Sequence, residues 1–227
     1  PDTEGTDQLA EWRHRVPKVE LHFHLEGSIP LDATWELVRK YGGDPTVPDM
    51  DALRDRFKFR DFPHFLETWT WKNGFIREYD DFTFSSEAVA RSLADQNIRY
   101  VEAFLSPARF FSTGLETGRL IEAVRQGLDR VPNVEVALVP DLVRDLGAEN
   151  AANVLSELSE VRSQGVVGIG IGGGCENAPG AFKQTRVSMG GPRLLISSDG
   201  MRADKFYVWR HVFLQHLNHG PFNAAHV

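Results

Sequence analysis

Four short runs of apolar, β-branched and aromatic residues, each followed by a stretch of helical periodicity, constrain the fold of this 227-residue chain more than any other feature. The runs are Val19–His24, Ile98–Leu105, Val134–Val139 and Val166–Ile171. Between them, Leu31–Tyr41 carries Leu31, Trp35 and Val38 at helical spacings, and Glu116–Arg130 carries a stripe of Leu120, Ala123, Val124 and Leu128. Phe59–Asn73, Asp80–Asp95 and Ala148–Ser163 read as further helices, Gly42-Gly43 stops the first one, and Pro45 and Pro48 mark a loop. Strands alternating with long helices argue for parallel βα units. Such a series is either doubly wound or closed into a barrel. No GxGxxG opens a helix after the first strand, which speaks against dinucleotide binding. A complete eight-stranded barrel takes about 250 residues, and only 55 remain here after Gly172. The expectation is an α/β fold: a partial (β/α) TIM-type barrel with about four βα units.

Composition narrows the function classes. Hydrophobic residues at 41% and charged residues at 25% describe an ordinary globular chain. A net charge of −7 is a poor match to nucleic acid or an anionic membrane, so neither is expected as a partner. No apolar run approaches the roughly 20 residues of a transmembrane helix. The opening PDTEGTDQLAEW is polar and acidic, unlike a signal peptide, and the one cysteine, Cys175, leaves no intrachain disulfide. The expected compartment is the cytoplasm.

The charge is unevenly spread. Residues 1–182 hold 19 Lys/Arg and 30 Asp/Glu, a net of −11; residues 183–227 hold 6 and 2, a net of +4. All 16 glutamates precede residue 183, and four of the eight histidines follow it. The expected organisation is an extension over 1–13, a barrel body over 14–182 and an atypical tail over 183–227. That tail is either a basic subdomain or a segment foreign to the body, through truncation, a frameshift or a misassembled gene.

The chemistry concentrates in the first strand. Residues two apart on a strand face the same way, so His22 and His24 can point together into the barrel while Val19, Leu21 and Phe23 face the surrounding helices. Two imidazoles on one face are half of a divalent metal site, or two satisfied polar residues at a strand end. Phe62, Phe65, Leu66 and Trp69, at i, i+3, i+4 and i+7, form one helical stripe whose plain reading is core packing.

The run Pro17-Lys18-Val19-Glu20-Leu21-His22-Phe23-His24-Leu25-Glu26-Gly27-Ser28-Ile29 resembles the opening of the adenosine deaminase family, which reads PKxELHxHLxGxI. The resemblance continues through Tyr100-Val101-Glu102, Ser106-Pro107, Val166–Ile169 and the glycines that follow, and covers roughly residues 14–180. It implies an amidohydrolase-type barrel, one zinc ion (Zn2+) as sole cofactor, and hydrolytic deamination of a purine or purine nucleoside. His22 and His24 match the first two metal ligands. Glu26 matches an acidic position that in many members bonds the ribose or another substrate group; from position alone it is an acid near a helix start. Gly173 matches a glycine whose backbone lies against the purine, although Gly172 or Gly174 could equally align. The segment holding Phe62, Phe65 and Leu66 roofs the purine pocket in the family.

The match fails further on. The family's HAGE, with its third histidine ligand and proton-donating glutamate, is absent, and no glutamate follows Glu176. His219-Gly220 only faintly echoes a later GHG-like strand, Asp199 and Asp204 do not reproduce the family's late aspartate pair, and Phe104 replaces an arginine common in strand two. Three readings follow. The first is an adenosine- or adenine-type deaminase by lineage, weakly active or inactive as this chain. The second is a catalytically dead fragment that binds metal or self-associates through open sheet edges at strands one and four. The third is another HxH amidohydrolase, and the Leu25-Glu26-Gly27 continuation favours the first reading over it.

Overall fold

A computed structural model of the chain describes residues 11–12, 14–173 and the backbone of 195–198. Five parallel strands form one sheet in the order β1-β2-β3-β4-β5: β1 (Lys18–His24), β2 (Ile98–Leu105), β3 (Glu135–Val143), β4 (Gly168–Gly172) and β5 (Leu195–Ser198). Sequential order with every neighbour parallel is how a βα barrel is laid down. The helices are α1 (Leu31–Lys40), α2 (Met50–Arg56), α3 (Phe62–Asn73), α4 (Tyr79–Asp95), α5 (Thr117–Leu128) and α6 (Gly147–Glu160).

Several expectations are revised. The 44–58 loop contains α2, whose start is capped by the Asp49 carboxylate accepting the Ala52 N–H at 2.8 Å. Helix α3 begins three residues later than its periodicity suggested, because Asp61 caps it through the His64 N–H at 2.8 Å. Strand β3 runs past Pro140 to Val143. The edge of β4 is not open: β5, from the segment read as an atypical tail, pairs with it from Gly168↔Leu195 to Ile171↔Ser198.

The core lies between the sheet and the helices. Strand β3 is buried on both faces after Glu135, as expected of a parallel strand inside a barrel wall. Leu120, Ile121 and Val124 of α5, with Val89 and Leu93 of α4, fill the layer outside β2 and β3. Helices α4 and α5 meet at Gly127, where a Cβ would fall 2.2 Å from the Thr83 carbonyl oxygen. The Thr83 hydroxyl donates across the crossing to the Ala123 carbonyl at 3.0 Å. Asp81, buried at the start of α4, ties α1 to α4. It accepts Lys40 Nζ at 2.6 Å, the Tyr41 hydroxyl at 2.5 Å and the Arg77 and Glu78 N–H groups at 2.8 and 3.0 Å.

Strand β1 departs from expectation on its outer face. Phe23 is buried, but Val19 and Leu21 are 65% and 57% exposed rather than packed under helices. Among the described residues β1 is an edge strand, and no described helix covers this part of it. Among the described residues no helix is long and apolar enough to cross a membrane.

Candidate metal and purine site

The site is built at the C-terminal ends of β1, β2 and β3. Strand alternation places His22 and His24 on the inner face of β1, with Phe23 outward in the core. Their Nε2 atoms are 3.3 Å apart, with ring centroids at 5.2 Å. Phe104 of β2 lies against both rings, stacked on His22 at 4.6 Å and tilted against His24 at 5.6 Å. The Phe104 ring is therefore the wall against which the two imidazoles pack. Past β1 the chain is pinned by the Leu25 N–H donating to the Phe104 carbonyl at 2.8 Å and the Ser28 hydroxyl donating to the His24 carbonyl at 2.8 Å.

The 3.3 Å separation fits a metal. Two nitrogens about 2.0–2.1 Å from a tetrahedral zinc stand roughly 3.3–3.4 Å apart. Among the described residues, however, no group of three or more His, Cys, Asp or Glu side chains could hold an ion. His211, His216, His219 and Glu176 lie outside the described residues.

Glu26 is not a solvated loop acid. It opens a 3₁₀ turn (Glu26–Ser28), is 4% exposed, and accepts the Ser106 N–H at 2.6 Å. Burial pushes its carboxyl above the usual carboxylate range, against the opposing pull of that N–H and of the Lys72 and Arg109 charges. Ser106 then donates its hydroxyl to Asp141 of β3 at 3.4 Å, so Glu26, Ser106 and Asp141 form a polar arc over three strands. Asp141 is buried and fills the space beside Gly170 of β4, where a Cβ would fall 1.8 Å from its Oδ1 and 3.0 Å from Phe104. Gly173 has a left-handed φ of 96°, and a Cβ there would meet Asp145 at 2.9 Å. Its carbonyl accepts Arg144 Nη1 at 3.3 Å, so it is tied to the turn after β3. Gly174 lies outside the described residues.

The aromatic stripe of α3 is not core. Phe62 and Leu66 are each 43% exposed; Phe65 is half-buried, stacked on Phe62 at 6.0 Å and edge-on to Phe59 at 5.2 Å. The buried face of α3 is instead Thr68 and Lys72. Burial lowers the Lys72 ammonium to about 7, with the Glu26 charge pulling the other way. Asp141 and Lys72 were not singled out by the sequence reading. The available signal was a second charge, after Glu135, in an otherwise apolar strand, and one lysine inside an aromatic-rich helix.

The family model for adenosine deaminase matches residues 17–187. The chain belongs to the adenosine deaminase family. It is similar to the aminodeoxyfutalosine deaminase of Acidothermus cellulolyticus, 29% identical over 161 residues, covering 70% of this chain and 45% of that protein. It is similar to the adenine deaminase of Streptomyces coelicolor, 28% identical over 159 residues, covering 69% and 46%. Its fold superposes on the Arabidopsis N6-mAMP deaminase with a TM-score of 0.65 at 27% identity, covering 75% of this chain and 54% of that one. The chain thus spans about half the length of the relatives it matches.

Proposed function

We propose that this chain carries the N-terminal half of a metal-dependent purine deaminase site and does not by itself complete the reaction. The observation that carries the reading is the convergence of His22 and His24, 3.3 Å apart inside a family-specific motif. These two residues would hold one divalent ion, zinc by family chemistry. Such an ion, when bound, supplies activation of water at neutral pH. Phe104 orients both imidazoles, and Glu26 binds a polar group of a purine nucleoside. Gly173, Phe62, Phe65 and Leu66 are proposed to border the purine, the last three from the exposed face of α3.

The reaction needs an acid to protonate the ring as ammonia departs, and the sequence supplies no matched glutamate. Loss of a positioned proton donor alone costs about 10²–10⁴-fold in rate. The purified chain with zinc is therefore expected to release ammonia from adenosine and adenine at the rate of a His22→Ala, His24→Ala double variant. Zinc-dependent turnover well above that variant would overturn the assignment of inactivity. The edge position of β1 among the described residues supports self-association as a second property of the same chain, because unpaired edge strands pair with one another.

A further inference from the structure

Asp141 is a buried acid whose carboxylate leaves its own strand. It belongs to β3, yet it crosses onto β4. A Cβ on Gly170 would fall 1.8 Å from Oδ1, and one on Gly172 would fall 3.7 Å from Oδ2, so the carboxylate fills space that side chains on β4 would otherwise take. The Phe104 ring reaches the same space, 3.0 Å from the Gly170 Cβ position, and packs against His22 at 4.6 Å and His24 at 5.6 Å. The carboxylate therefore stands one aromatic ring away from the histidine pair, on the C-terminal side of the sheet where βα-barrel sites are built. Ser106 donates its hydroxyl to Oδ2 at 3.4 Å. The two oxygens of an ionised carboxyl accept about four hydrogen bonds and donate none. Such a group attracts a ligand edge that carries N–H donors and repels one that carries a carbonyl oxygen.

We propose that Asp141 is a specificity-determining acceptor for the exocyclic amino group of a purine. This rests on the purine reading above. The site then favours the amino-purine over the oxo-purine that deamination leaves, because exchange of the amino group for a carbonyl oxygen turns a donor into an acceptor facing the carboxylate. Gly170 shares in the selection, since any side chain there would expel the carboxylate from its place beside Phe104.

The test is calorimetric titration of the full chain with adenosine, inosine and purine riboside, after chelator treatment so that no ligand turns over. Wild type is expected to bind adenosine about tenfold or more tightly than inosine, the usual weight of a charged hydrogen bond, with purine riboside between them. In Asp141→Asn the amide can turn either a donor or an acceptor to the ligand, so the adenosine-to-inosine ratio should fall to about threefold or less. Gly170→Ala keeps the charge but displaces it, and should lower the same ratio; it decides the matter if Asp141→Asn does not fold. A purely structural Asp141 would leave the ratio unmoved even where stability drops. An unchanged ratio in the folded variants, or equal binding of adenosine and inosine by wild type, overturns the assignment of Asp141 and leaves the purine reading standing. Failure of wild type to bind any of the three overturns the purine reading and this assignment with it.

Discussion

Gly170→Ala tests whether the interior of the barrel is arranged as described. The new Cβ would lie 1.8 Å from Asp141 Oδ1 and 3.0 Å from a ring carbon of Phe104. Ordinary contact between such atoms is about 3.4 Å or more, so the Asp141 carboxylate must move by well over 1 Å. It has little room, because Asp141 is 3% exposed and accepts the Ser106 hydroxyl. Overpacking of this kind costs about 1–3 kcal/mol, and replacing a strand glycine by alanine returns roughly 0.5–1 kcal/mol of backbone entropy. Net destabilisation of about 1–2 kcal/mol is expected, a fall in Tm of roughly 2–8 °C for a domain of this size. A double-mutant cycle isolates the contact. In an Asp141→Ala background the carboxylate is gone and Gly170→Ala should be nearly neutral, giving a coupling of about 1–2 kcal/mol. Urea melts of the four proteins supply the numbers. A neutral Gly170→Ala, or a coupling below about 0.5 kcal/mol, would refute the placement of Asp141 against Gly170.

Other consequences are as specific. Asp81→Ala removes the acceptor of two side chains and two backbone N–H groups; breaking a buried charged pair costs about 3–5 kcal/mol, and the half-exposed Lys40 places the loss at the lower end in urea denaturation. Lys72 holds its proton less tightly folded, at about 7, than at its ordinary value of 10.5. Between those values the unfolded chain binds the extra proton, so the Lys72 contribution to stability rises with pH across that window. Urea melts at pH 7, 8.5 and 10 should show the rise in wild type and its absence in Lys72→Met. Leu21→Lys, on the exposed outer face of β1, should lower the apparent mass of any self-associated species by light scattering; an unchanged mass would exclude that face.

The strands and long helices were legible because their periodicities extend over many residues. Strand β2 runs from Ile98 to Leu105 as its apolar pattern predicts, and α1 ends at Lys40, one residue before the predicted Tyr41. Helix α2 was hidden because its seven residues are too few to establish a period, although Asp49 carried a capping signal. Strand β3 was cut short at Pro140, since proline reads as a stop, yet pairing with Leu105 carries the strand through it. In the site, His22 and His24 were visible because an i, i+2 pair is a local fact. Asp141 and Lys72 were not, because burial of a lone charge is decided by neighbours distant in sequence: Ser106 and Gly170 for one, Glu26 for the other. The same reason explains the α3 stripe, where periodicity identified an apolar face without showing that Thr68 and Lys72 would be the side turned inward.

The central claim is that His22 and His24 are two ligands of one divalent ion. The most direct measurement is zinc binding by competition with a chromophoric chelator, comparing the full chain with its His22→Ala, His24→Ala variant. The wild-type chain is predicted to bind one more zinc ion than the variant, or to bind the same ion at least tenfold more tightly. Equal stoichiometry and equal affinity in the two folded proteins would contradict the assignment and leave the paired histidines as wall residues packed on Phe104.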